Sequence, residues 1–149
     1  YQIRPISMKE ISDIVELRVI LELAALRKTF TILDDHHIQL LKENLSRASE
    51  IHEGKNMMKH WKSNISFHLL LCSFCGNSQI YSETERALKF SYRGAIQYFS
   101  VSWNRRHDTK AQRHKKLIEA MEMRDLEKSL EILKEDIENL KQEILEEFC

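Results

Sequence analysis

The sequence predicts an all-α protein, an antiparallel bundle of about six helices, and three observations carry that expectation. Only three of the 149 residues are Gly and one is Pro, so few positions break a helix. Leu, Ile, Glu and Lys, which favour helix, are abundant. Apolar residues recur at steps of three and four along most of the length, with short links between and no convincing strand. A single domain of this size buries a real core. No internal repeat or low-complexity tract divides it.

The first helix begins after Pro5. Ser7 is its N-cap, and Glu10 three residues on completes a capping box. It runs to about Phe30 on Ile11, Ile14, Val15, Ile20, Leu21, Ala24 and Ala25. Arg18 and Glu22 share a face at i and i+4. Periodicity alone reads them as a surface pair contributing a few tenths, about 0.2–0.5 kcal/mol. The functional reading is an Arg turned toward a pocket, ready to clamp a carboxylate. Asp34 or Asp35 caps a second helix ending near Gly54, with Ile38, Leu41, Leu45, Ala48 and Ile51 as its stripe. His36, His37 and His52 read as capping or solvent-facing.

The stretch Trp61 to Asn77 reads as one helix stopped by Gly76-Asn77. Asn64 and His68 lie one turn apart on one face. His68 sits among Phe67, Leu69, Leu70 and Leu71, so it is expected to be buried and to need a partner. The proposed partners are His114 and Asp136. Cys72-x-x-Cys75 lacks the second pair of ligands a structural zinc site needs, and a redox pair would open a helix after a strand. Both cysteines therefore read as core. The fourth helix, about Ser78 to Ser102, is the aromatic part of the chain, through Trp103. Its stripe is core or the lining of a ligand cavity. Gly94 inside it marks a close approach or a bend, and Arg93 beside it faces either the cavity or water. After the polar link Asn104 to Thr109, Asp108 or Thr109 caps a fifth helix with His114, Leu117, Ile118 and Met121. Asp125 caps the last, whose Leu126, Leu130, Leu133, Ile137, Leu140 and Ile144 form a heptad seam. Asp136 lies one position off that seam, where a solvated charge is the ordinary reading.

Acids and bases balance at 23 each, so no global field draws the chain to nucleic acid or anionic membrane. No run is long enough to span a bilayer, and the start lacks the layout of a secretory signal. Three cysteines fit a reducing compartment, hence the cytoplasm. A first residue other than Met fits a fragment of a longer chain. There is no HExxH, no Gly-rich phosphate loop, no nucleophile elbow and no ExxH, so an enzyme is not expected. What remains is the scattered set Asn64, His68, His114 and Asp136. Two imidazoles and a carboxylate can hold a divalent transition metal with positions left open, Asn64 being a weak fourth ligand. Scattered histidines in a helical protein are more often no metal site.

Arg4-Pro5-Ile6-Ser7 leads into Glu16-Leu17-Arg18-x-x-Leu21-Glu22. Asn64-x-x-Phe67-His68 and Cys75-Gly76-Asn77 follow, and then His114-x-x-Leu117-Ile118-Glu119-Ala120-Met121 and Arg124-Asp125. In that order and spacing, these residues resemble the FadR C-terminal domain class (FCD), the ligand-sensing domain of GntR-type bacterial transcription regulators. The resemblance covers almost the whole chain. It implies an all-α bundle that forms a homodimer and follows a winged helix-turn-helix DNA reader, which this chain lacks. It implies a small carboxylate effector held with the help of a divalent metal (zinc, nickel, manganese or iron). Asn64 stands where the family usually has Asp and Asp136 where it usually has the last His, so the charge of the ligand set is kept. Arg113 stands where an acid is common, and a cation turned inward there would disfavour a metal. Arg18, with Arg93 as a second candidate, is the expected effector contact. Two alternatives remain: a metal-free helical dimerisation module with a degenerate ligand site, and a metalloenzyme on the same residues.

Overall fold

Why helices form is visible at their ends. In the computed structural model, which describes residues 4–51, 56–100 and 110–148, Ser7 accepts from the backbone N–H of Glu10 and the Glu10 carboxylate reaches back to Ser7. This closes the expected capping box at the start of α1 (Met8–Phe30). Asp34 caps α2 (Asp35–Ile51) by accepting from the His37 N–H at 3.0 Å. Asn56 caps α3 (Met57–Ser73) through the Met58 and Lys59 N–H groups, so this helix starts four residues before Trp61. It ends at Ser73, and Gly76 takes φ +73° in the link that follows. Asn77 opens α4 (Ser78–Phe99). The expected capping pair Asp108 and Thr109 lies outside the described residues, as do Trp103, the Asn104–Thr109 link, His52, Gly54 and Cys149. α5 (Lys110–Glu122) and α6 (Leu126–Phe148) are separated by Arg124 at φ +56°, with Asp125 accepting from the Lys128 N–H as the α6 cap.

Six helices and no strand make up the described residues. α1 packs on α3, α4 and α6, while α2 packs on α3 and α5 and α5 on α6. The buried stripe of α1 is Ile11, Val15, Arg18, Glu22, Ala25, Leu26 and Thr29, steps of three and four that put the charged pair on the same face as the apolar residues. Gly94 lets α4 approach α1 closely: a Cβ there would collide with the Ile11 Cδ1. Leu130, Leu133, Ile137, Leu140 and Ile144 of α6 are buried as the seam predicts. Trp61 stacks over Phe99 with centroids 6.3 Å apart, and Phe99 is fully buried, so these rings of α3 and α4 are core. Cys72 is buried with its Sγ 3.6 Å from the Thr84 hydroxyl. Burial pushes its thiol up to about 11, which leaves it unreactive.

Candidate functional site

Four helices converge on one buried polar cluster. Asp136 is the hub. It lies three residues after Leu133 and four before Leu140, so the α6 seam carries it inward and it is only 2% exposed. The expectation of a solvated Asp136 is therefore corrected: one position off a seam is still within the buried width of a helix packed on two others. Its Oδ2 lies 3.1 Å from His68 Nε2 on α3 and 3.0 Å from His114 Nε2 on α5. A short side chain thus meets both rings. The two imidazole centroids are 5.2 Å apart and the rings nearly perpendicular. Phe67 stacks on His114 at 4.0 Å and fixes its plane.

The second carboxylate comes from α1. Glu22 Oε1 hydrogen-bonds the other His68 nitrogen, Nδ1, while Glu22 Oε2 accepts from Arg18 Nε at 2.9 Å. The surface-pair reading of Arg18 and Glu22 is overturned here, since both are at most 5% exposed. Arg and Glu are seldom buried, and the signal that was available is the run from Leu17 to Leu26, apolar apart from these two residues. Glu22 is the site residue that sequence reasoning missed, beyond its pairing with Arg18. Burial pushes its carboxyl up, but the charges of Arg18 and His68 outweigh that and hold it below the ordinary carboxylate value. Burial likewise opposes charge on His68, yet Glu22 and Asp136 prevail and raise its pKa.

Asn64 is buried one turn before His68, and its amide nitrogen has no hydrogen-bond partner among the described residues. Arg113, next to His114, has turned inward: its Nη1 lies 3.7 Å from Asp136 Oδ1. Arg93 does not join the cluster. It is exposed, with its guanidinium 5.8 Å from the Phe90 ring centroid, beside a surface groove of about 380 Å³ that Arg4 and Gln97 also line.

His68, His114 and Asp136 offer one ligand atom each, all within 4.8 Å of one another. Two neutral imidazoles and a carboxylate suit a divalent transition metal. Glu22 on the far nitrogen of His68 is the outer carboxylate that orients a metal-bound imidazole. The donor set therefore fits a metal.

Residues 13–139 match the FCD domain family. Two solved structures share the fold. One is a transcriptional regulator, a GntR family member, from Pseudomonas syringae pv. tomato, at 19% identity and a TM-score of 0.77 over 97% of this chain. The other is E. coli McbR/YncC, at 16% identity and a TM-score of 0.84 over 99% of this chain. This chain spans 59% of the length of the first and 73% of the second. A search of curated protein sequences found no match.

Proposed function

Because this chain belongs to the FCD domain family, we propose that it is the effector-sensing and dimerisation domain of a GntR-type transcription regulator. Its effector is a small organic acid, bound with the help of a divalent metal held by His68, His114 and Asp136. The observation that carries this reading is the convergence of two imidazole Nε2 atoms on one buried carboxylate oxygen. A bundle that needed only to dimerise would gain nothing from burying two acids, one arginine and two imidazoles. Charges taken from water are expensive unless paired, and a hydrophobic substitute is often as stable. Asn64 supplies a buried N–H donor, unmatched among the described residues and one turn from His68, which suits an acceptor group on a ligand. Arg18, buried and tied to Glu22, is the proposed carboxylate anchor.

The cluster residues are 1–6% exposed, so a ligand reaches them only when helices move apart. Such a ligand prefers the opened arrangement and shifts the bundle toward it by its difference in affinity for the two states. In a pair of domains, that shift repositions whatever readers of DNA are attached. When bound, the metal supplies Lewis acidity toward the effector carboxylate, and the surrounding residues orient it and exclude water.

The test is elemental mass spectrometry of protein purified without chelator or metal-affinity tag, beside His68→Ala. About one transition metal per chain, lost in the variant, is the expected result. A chain that stays empty after incubation with zinc, nickel, manganese or iron defeats the metal-centred reading. The alternative, a metal-free dimerisation module, then gains support if no small acid raises the melting temperature either.

A further inference from the structure

Asp136 is shared in an uneven way. Its Oδ2 receives both imidazoles, while its Oδ1 faces Arg113 Nη1 at 3.7 Å. That separation is an ion pair but too long for a hydrogen bond, and Nη1 is buried with no hydrogen-bond partner among the described residues. The Arg113 side chain is 26% exposed against 2% for Asp136. It therefore reaches inward from the surface near the start of α5 and has a path back to water. Among the described residues Arg113 is held at Asp136 by charge, at the carboxylate a metal would need.

Formal charge sharpens the point. Among the described residues, with both imidazoles neutral, Arg18 and Arg113 balance Glu22 and Asp136. A divalent cation added to that set leaves two uncompensated positive charges in a buried site, where charge is poorly screened. The same cation without Arg113 inside leaves one.

We propose that Arg113 is a tethered cation that competes with a divalent metal for Asp136, so that metal enters this site only as the guanidinium leaves it. The proposal rests on the metal-centred reading above and adds a residue that regulates its occupancy. Arg113 is a regulating neighbour rather than a ligand, and its removal is expected to strengthen metal binding where removal of a ligand weakens it.

The experiment is a calorimetric titration of wild type and Arg113→Gln with Zn²⁺ alone, each checked for folding by circular dichroism. Arg113→Gln is expected to bind Zn²⁺ at least about tenfold more tightly, because one adjacent charge at short range is removed. Binding by both proteins, with Arg113→Gln the tighter, is the supporting result. Equal affinity, or weaker binding by the variant, overturns the role of Arg113 and leaves the metal-centred reading standing. No binding by either protein overturns both. A second readout needs no variant: the arginine Nε–H NMR signal of Arg113 in wild type moves to the position of a solvated guanidinium when Zn²⁺ saturates the site. A signal unmoved at saturation also overturns the proposal.

Discussion

Two Arg–Glu pairs meet on α1, and they do different things at nearly the same separation. Arg4 and Glu10 lie 2.5 Å apart with side chains 73% and 30% exposed, whereas Arg18 and Glu22 lie 2.9 Å apart and are 5% and 2% exposed. The first pair sits in water, where attraction is weak and either partner can be solvated alone. The second has exchanged water for protein, so each charge depends on the other. Glu22 also holds His68, which links α1 to α3 and through Asp136 to α5 and α6. Distance therefore does not rank these interactions, and the cost of losing a partner does.

The largest expected effect tests the buried pair. Glu22→Ala strands Arg18 and leaves His68 Nδ1 unbonded, and it should lower unfolding free energy by about 3–5 kcal/mol, as loss of one buried ionic partner does. Urea denaturation of metal-free protein measures it. A loss no greater than that of an exposed substitution would mean that water already reaches Arg18 and Glu22.

Titration gives the next effect in size. The folded pKa of Glu22 is lowered from 4.5, so its stabilisation is present above that value and is lost as pH falls through the folded pKa. The folded pKa of His68 is raised from 6.5, so its contribution is full below that value and is lost as pH rises through the folded pKa. Metal-free protein should thus be most stable between about 4.5 and 6.5. Zinc affinity should run the other way and fall with acid, because His68 must release a proton to bind. Denaturant midpoints across pH, taken with and without Zn²⁺, separate the two trends. A metal-free optimum displaced well above neutrality would contradict a charged His68.

How much of this was legible in the sequence follows from the same contrast. Helix order, the Ser7 and Asp125 caps, the Gly76-Asn77 stop and the α6 seam were readable because each depends on neighbours within a few residues. His68 was readable as buried because its own run is apolar, and the fold it belongs to was readable from motif order. The burial of Glu22 and Asp136 was not. On α1 the run from Leu17 to Leu26 is apolar apart from Arg18 and Glu22, but their i, i+4 spacing reads equally well as a surface pair, and in α6 Asp136 follows Glu135 in a helix crowded with Glu and Lys. What places these charges inside is a partner 46 residues away for Glu22, and partners 68 and 22 residues away for Asp136. Periodicity fixes the face a helix buries, not whether a charge on that face has found an opposite one.

The smallest effect completes the comparison at the exposed pair. Arg4 is the leading cause of the low Glu10 pKa, about 2, with Ser7 adding to it. Taken alone, that shift would suggest a strong interaction. Glu10 is nevertheless solvated, and it keeps its capping bonds to Ser7 without Arg4, so water and the cap replace what the guanidinium provides. Arg4→Ala should leave the urea midpoint indistinguishable from wild type at physiological salt, and any difference seen at low salt should vanish as screening increases. A salt-resistant loss would show that Arg4 acts through contacts other than charge. The groove it lines with Ile6 and Gln97 would be the place to look, because Gln97 there bonds both the N–H and the carbonyl of Ile6 and ties the entry of α1 to α4.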